Sequence, residues 1–377
     1  MRVVVVGGGI LGTMHAWQAV RRGHEVVHLE REQEPRGASV RNFGLIWVSG
    51  RAPGAELTAA LRSRELWEEL SAEVHLAGFR PAGSLTVCRT EAELAVAEQV
   101  MERLDAADRG FRLLEHAAAR RLNPVLRSRF RAALWCRLDA AVEPRRTLHA
   151  IRDRMAGTGL YTFLPGREVR DVRDRVVSDD RGDVHGADVV FLCTGAWHGG
   201  LVRELTTGPL GGLDGVRRVR LQMMETAPIG ERLPTAVADA DSFRYYPAYR
   251  GTALDALNRA QPQSAVAAAH AMQTLVVQRL DGGLTIGDTH EYAERFGTDV
   301  LSAPYEHLAK VVESLLGRPM PPVVRRWAGV YSQCTDPDRL LHRASVADGV
   351  WLVTGPGGKG MTMAPAIAEQ SLAYAGL

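Results

Sequence analysis

Three glycines near the start of the chain carry the first chemistry. They stand at Gly7, Gly9 and Gly12 within Gly7-Gly8-Gly9-Ile10-Leu11-Gly12, the spacing G-x-G-x-x-G. Each has a task around a bound diphosphate. Gly7 permits a tight turn, Gly9 lets the backbone approach the phosphates, and Gly12 lets helix and strand pack closely. Ile10 and Leu11 open a helix whose amino terminus offers free N–H groups and a favourable dipole to that diphosphate. Glu30 ends the next strand and is positioned to accept hydrogen bonds from a ribose diol. An acid there disfavours a 2′-phosphate, which leaves FAD or NAD.

The elements around these residues must hold them in place, and their patterns agree. Val3–Val6 is a β-branched run suited to a buried parallel strand. A helical pattern runs from about Ile10 to Arg22 and stops at Gly23, and Glu25–Leu29 reads as a second strand. Strand, turn, helix, strand and terminal acid follow in order between Val3 and Glu30. A plain glycine turn does not require that sequence of parts.

Composition narrows the classes. The 377 residues carry a net charge of +2, with 46% hydrophobic and 24% charged residues. That predicts two globular domains and gives no reason to invoke nucleic acid or a membrane surface. No apolar run approaches the length of a membrane span. A strand pattern from Arg2, with no leader pattern before it, predicts a cytoplasmic protein. The cysteines, Cys88, Cys136, Cys193 and Cys334, have no C-x-x-C spacing and no nearby histidine cluster, so neither metal nor disulfide framework is expected. Lysine occurs only at Lys310 and Lys359. Lys359 interrupts a glycine-rich stretch, which singles it out in a chain that otherwise uses arginine.

Further stretches extend the reading. They are Gly37-Ala38-Ser39-Val40-Arg41-Asn42-Phe43-Gly44, Ala187 to Trp197 with Thr194-Gly195-Ala196-Trp197 at its end, Trp327-Ala328-Gly329-Val330-Tyr331, and Gly355-Pro356-Gly357-Gly358-Lys359-Gly360-Met361-Thr362 followed by Ala364-Pro365. In that order they resemble the D-amino acid oxidase superfamily, which includes glycine oxidase and sarcosine oxidase. The resemblance implies an α/β fold, with a Rossmann-like FAD-binding domain of the glutathione-reductase type and an α+β antiparallel-sheet substrate domain. It implies non-covalent FAD, because sarcosine oxidase-like members attach flavin through a cysteine where this chain has Gly329. Carried across by position, Gly7, Gly9, Ile10, Leu11, Gly12, Glu30 and Arg31 hold the AMP half. Ser39, Val40 and Asn42 lie near the pyrophosphate and flavin, and Val169 meets the adenine. Thr194, Gly195 and Trp197 line the cofactor. Gly355, Gly358, Lys359, Gly360, Met361 and Thr362 approach the isoalloxazine. Pro365 is expected early in a helix, where its missing N–H costs little.

These motifs lie at the beginning, middle and end of the chain, so the flavin domain is expected to be discontinuous: residues 1–80, 137–215 and 326–377. The substrate domain then takes 81–136 and 216–325. Its expected strands are Ser84–Cys88, Val216–Met224, Ser242–Tyr249 and Gly283–Gly287, with helices over Glu91–Asp108 and Tyr305–Leu316 on one face of the sheet. Ser264–His270 is left open between helix, loop and lid.

The family's chemistry implies hydride transfer from the carbon bearing an amine to flavin, hydrolysis of the imine, and reoxidation by dioxygen with release of hydrogen peroxide. No catalytic triad is expected. The arginine that binds a carboxylate in glycine oxidase and D-amino acid oxidase is missing from Gly329-Val330-Tyr331-Ser332-Gln333. The substrate candidates are Tyr245, Tyr246, Tyr331, Arg51 and Arg339, with Arg41 and Arg244 as further cations and His290 read as a surface residue. Lys359 is the candidate for an electrostatic role in oxygen reduction or for anion binding. The run Ser39 to Gly54 resembles a phosphonate-linked subgroup, which points to a small anionic amine related to 2-aminoethylphosphonate. Sarcosine-like secondary-amine oxidases, amino-acid oxidases or dehydrogenases, and a non-catalytic dinucleotide-binding protein are the alternatives.

Overall fold

The computed structural model describes residues 1–76, 78–207 and 212–377. The β-branched run at the start becomes the strand Arg2–Val6, buried from Val3 onward. It lies inside a six-stranded sheet, between Val189–Leu192 and Glu25–Glu30. Tyr161–Pro165 and Val350–Thr354 extend the sheet on either side, all parallel, and His342–Ala347 closes one edge antiparallel. Parallel pairing has a direct consequence for function. The turns after Val6, Glu30, Leu192 and Thr354 all emerge at one end, however far apart they lie in the sequence.

The second sheet has nine strands. Val216–Thr226 pairs with Val323–Cys334 along its length and with Leu284–Gly287 beside it. The sheet then runs through Leu275–Gln278, Ala236–Ala238, Ser84–Cys88 and Ala132–Cys136 to Phe111–Glu115. It is antiparallel except for the parallel pair Ala236–Ala238 and Ser84–Cys88. The expected boundary at 326 falls inside the strand Val323–Cys334, so residues 326–334 belong with this sheet.

Several local expectations change. Both faces of this sheet are covered, not one. Val237, Val276 and Ile286 pack with the helix Ser302–Leu316, while Ala236, Ala238, Leu275 and Val277 join the core under the helices Glu91–Met101 and Thr252–Ala260. The helix from Glu91 stops at Met101 rather than Asp108, before turns in which Leu104 is fully exposed. Ser242–Tyr249 is not a strand: Asp241–Tyr245 is helical and Pro247–Tyr249 a 3₁₀ turn, because Asp241 pairs with Arg244 one turn on and Pro247 has no N–H for a ladder. Ala265–Ala269 is a short helix capped by Ser264. No described helix is long and apolar enough to cross a membrane.

The last helix, Gly360–Tyr374, is buried through Met361–Ala368 against the first helix, Ile10–Arg21, and a long second helix, Ala55–Val74. Pro365 sits beyond its first turn, so the missing N–H is a real loss. The second helix makes it good. The Trp67 indole donates to the carbonyls of Met361 (3.1 Å) and Thr362 (3.3 Å), and Ser63 Oγ accepts the Ala366 N–H at 3.1 Å. Trp67→Phe should therefore cost about 1–3 kcal/mol through the unpaired carbonyl alone. The cost should shrink when Pro365→Ala restores the helix's own donor. Urea unfolding of the four-member cycle measures that coupling, and equal costs in both backgrounds would refute it.

Candidate active site

The glycine turn is built by close approach. A Cβ added at Gly12 would lie 1.9 Å from the carbonyl oxygen of Gly7, and one at Gly7 would lie 2.4 Å from that of Cys193. Gly8 matters too, although it is not one of the three spaced glycines. Its N–H donates to Glu30 Oε2 at 2.5 Å, and an added Cβ would touch that side chain at 3.0 Å. Ser39 Oγ accepts the Ile10 N–H at 2.9 Å, bringing the second glycine-rich stretch onto the first helix's amino terminus.

His28 supports the turn from beneath. Its Nε2 lies 3.0 Å from the Gly7 carbonyl and its Nδ1 lies 2.9 Å from the Tyr161 hydroxyl. A carbonyl only accepts, so Nε2 carries the proton and the neutral imidazole bridges the turn to the neighbouring strand. Burial lowers the pKa of His28 to about 4, and burial does the same to His15, which lies beside Cys193.

Around this turn the other cofactor candidates are tied to one another. Arg31 stacks on the half-exposed Trp197 at 4.5 Å, Thr194 Oγ1 donates to the Trp197 carbonyl, and the Gly195 carbonyl accepts from Thr354 next to Gly355. Val169 opens a strand whose approach is tied to Glu30 through the Arg167 N–H at 2.9 Å. Leu11 is buried in the core behind the turn. Val40 faces away from the main cavity, into a smaller one of about 170 Å³ beside Trp327. Asn42 is committed to its own turn. Its Nδ2 donates to the carbonyls of Ala38 and Ser39, and its Oδ1 accepts the Gly44 N–H.

Ile10 and Ser39, beside the turn, line a cavity of about 500 Å³, within the range of ligand sites. Gly358 to Thr362 form one wall. The other wall comes from the nine-stranded sheet, the end of the helix Asp241–Tyr245 and the Trp47–Arg51 loop, and it brings Arg51, Tyr245, Tyr246 and Tyr331 together. Arg339 does not line it, being bonded instead to His342. Arg244 reaches the lining but is spent on Asp241, Asn258 and Gln261. Thr362 Oγ1 accepts the Trp47 N–H at 2.8 Å, which ties the rear loop to the loop that carries Arg51.

Arg51 is 4% exposed, and its guanidinium sits 5.8 Å from the Tyr246 ring. Its Nε donates to the Trp47 carbonyl at 2.7 Å. The loop beneath it is held by a buried carboxylate, Asp139, which accepts from the N–H groups of Val48 and Ser49 and from the Ser84 hydroxyl. Burial raises the Asp139 carboxyl above its ordinary value, and those donors oppose the rise. Glu56 takes a hydrogen bond from Lys359 Nζ at 2.7 Å and lies 3.7 Å from Arg51. Lys359 is thus an ion-paired wall residue.

Several residues in the wall or behind it escaped the sequence reading. Glu56 and Asp139 sat in stretches with no motif, and Gly50 looked like a loop glycine although an added Cβ would strike the Tyr246 ring at 2.5 Å. His290 is buried, not at the surface, and stacks on Tyr245 at 4.2 Å. Asp288 beside it is 5% exposed. The signal was present in Gly287-Asp288-Thr289-His290, but only strand pairing shows which way it faces.

A family model described as DAO, FAD dependent oxidoreductase, matches residues 2–374. The chain belongs to that family. Glycine oxidase of Pseudomonas aeruginosa is 26% identical over 388 residues, covering 97% of this chain and 92% of that protein. A component of the opine oxidase of Rhizobium meliloti is 27% identical over 174 residues, a match spanning 42% of this chain and 45% of that relative. The fold is that of the solved glycine oxidase from Geobacillus kaustophilus, with a TM-score of 0.76 at 19% identity over 99% of this chain and 94% of that one. FAD is the family's cofactor. The methyl-free cradle at Gly7 and Gly12, the helix amino terminus and a tyrosine-walled cavity that begins beside them at Ile10 and Ser39 fit a diphosphate joined to a flat ring.

Two of the buried histidines, His15 and His28, make the fold acid-sensitive. Each has a folded pKa below its unfolded value of 6.5, so the unfolded chain binds more protons between pH 6.5 and about 4. Their stabilising share is intact above pH 6.5 and falls by about 3 kcal/mol each as the pH drops through that window. Urea unfolding across the window should lose about half of this slope in His28→Gln. An unchanged slope would show that His28 does not stay neutral.

Proposed function

We propose that this chain is a FAD-dependent amine oxidase acting on C–N bonds, and that its substrate is a small amine carrying an anionic group. The observation that carries the reading is a cavity that reaches Ile10 and Ser39, next to the glycine turn, and whose far wall holds a buried arginine among three tyrosines. Gly7, Gly9, Gly12, Glu30 and Arg31 would hold the AMP half, with Val169 at the adenine, and Thr194, Gly195 and Trp197 would line the cofactor. Ser39 and the loop from Gly355 to Thr362 would hold the rest. With FAD bound, the chemistry supplied is removal of a hydride from the amine-bearing carbon and passage of the electrons to dioxygen as hydrogen peroxide, the imine left behind being hydrolysed by water.

The protein's own residues orient and select. The amino terminus of the last helix faces the cavity through Gly360 to Thr362 and favours negative charge there. Arg51 anchors the substrate's anion, because it is buried and keeps donors beyond those given to Trp47. The tyrosines exclude water and leave the Tyr331 hydroxyl without a well-formed partner in the wall. We assign the anion as a phosphonate, in an amine related to 2-aminoethylphosphonate. The resemblance of Ser39 to Gly54 supports this, as does the absence of a carboxylate arginine after Gly329. The similarity to glycine oxidase favours a carboxylate as the second reading. The flavin is read as non-covalent, since Gly329 offers no thiol and burial raises the Cys334 thiol, against the thiolate that attachment needs. We read the six-stranded and nine-stranded sheets as the cofactor and substrate units.

Peroxide release from 2-aminoethylphosphonate, glycine, sarcosine and D-alanine tests the reading. The phosphonate should be turned over with the highest kcat/KM, and Arg51→Lys should raise its KM about tenfold or more while flavin content is kept. Turnover of glycine alone would select the second reading, and no anaerobic bleaching by any amine would remove both. Acid precipitation should release all of the FAD into the supernatant, and colour retained in the pellet would refute non-covalent binding.

A further inference from the structure

The cavity has a negative end as well as a positive one. Asp288 lines it, is 5% exposed, and leaves Oδ1 with no hydrogen-bond partner. Among the described residues no arginine or lysine pairs with this carboxylate. The only basic atom among them within 4 Å is His290 Nε2, at 3.8 Å from Oδ2. His290 Nδ1 lies 2.9 Å from the Ala271 carbonyl, so the ring's proton is on that side and Nε2 faces Asp288 without one unless the imidazole is charged. The other titratable groups facing the carboxylate are phenols: Tyr245, Tyr246 and Tyr331. A carboxylate removed from water costs several kcal/mol unless a cation meets it. The described residues supply no fixed cation there.

Tyr246 lies between the two ends. Arg51 approaches its ring, while its hydroxyl is bonded by Gln273 Nε2 at 3.1 Å. The Gln273 backbone carbonyl accepts the Asp288 N–H at 3.0 Å. At the Arg51 end two cations share the single carboxylate of Glu56, which leaves one positive charge over. An excess positive charge shared by Arg51 and Lys359 and the unpaired carboxylate of Asp288 therefore lie on either side of the Tyr246 ring, while Arg41, Arg217 and Arg250 add further positive charge to the lining.

We propose that Asp288 is the counter-anion for the substrate's amine, so that the cavity selects a zwitterion, cationic at nitrogen and anionic at its far end. The inference rests on the amine-oxidase reading above and sharpens it. A simple alkylamine without an anion, or an anion without an amine, satisfies one end and leaves the other charge buried and unmet. An alkylammonium arrives protonated at neutral pH and donates to a carboxylate in a low-dielectric wall, which is a strong, short interaction.

The test uses matched pairs on the flavin-bearing protein under anaerobic conditions. One pair is 2-aminoethylphosphonate with ethylphosphonate, the other glycine with acetate. Binding is read from perturbation of the flavin absorbance and from saturation of the reduction rate. In the unmodified protein the amine-bearing member of the better pair should bind about tenfold or more tightly than its amine-free partner. In Asp288→Asn that preference should collapse to within about twofold, while the amine-free anion binds as before. Asp288→Glu, which keeps the charge, should retain part of the preference. Equal weakening of both members in Asp288→Asn, or an undiminished preference, overturns the proposal while leaving the oxidase reading in place. If Asp288→Asn does not retain flavin, the unmodified protein decides, since equal binding of the two members overturns the proposal by itself. An unmodified protein that holds FAD but is neither perturbed nor reduced by any amine overturns the proposed function, and this inference with it.

Discussion

Everything at the cofactor end depends on a missing methyl group. The first helix can start where it does only because Gly12 lets the Gly7 carbonyl come within what would be 1.9 Å of a Cβ. Interiors do not yield by ångströms, so any side chain there would push the helix off the strand and turn its N–H groups away. That contact sets the aim of the helix amino terminus. His28 then fixes the Gly7 carbonyl itself, and Glu30 is drawn over Gly8 by a backbone hydrogen bond. The apparatus is three layers deep, and each layer rests on the one below.

Parallel strands extend this local constraint to the whole chain. The turns after Glu30, Leu192 and Thr354 share one end of the sheet with the glycine turn because their strands run the same way as Arg2–Val6. The last helix then returns to pack on the first, and its proline gap is closed by Trp67 and Ser63 from the second. Because Thr362 also holds the Trp47 backbone, the rear loop and the loop that carries Arg51 form one mechanical unit. A shift of the last helix would move Arg51 as well.

Inside the cavity, charge is placed by burial more than by number. Asp139 never reaches the lining, yet its three accepted hydrogen bonds hold the loop that aims Arg51. Lys359, which the sequence singled out for its rarity, turns out to share Glu56 with Arg51 and so adjusts the field rather than standing alone. Asp288 is the converse case, a carboxylate left without a fixed partner. Such a group is costly in isolation and useful when the ligand brings the opposite charge.

The sequence by itself determined the dinucleotide turn, because strand, glycine spacing, helix and acid are consecutive and their geometry is local. It also marked the strands Ser84–Cys88 and Val216–Met224 through their own patterns, the second running on to Thr226, and it named the three tyrosines and Arg51 as substrate candidates together with Arg339, which does not line the cavity. It misread Ser242–Tyr249 as strand, since aromatic propensity is weak against a helix fixed by an Asp–Arg pair. It placed His290 at the surface and passed over Asp288, Glu56, Asp139, Gly50 and Trp67. Those roles depend on which element lies opposite, across sequence separations of up to hundreds of residues, and no local period encodes that. Only the tertiary structure decided that the cavity would hold unmatched charges of both signs, because burial and partnership belong to the packed chain and not to any segment of it.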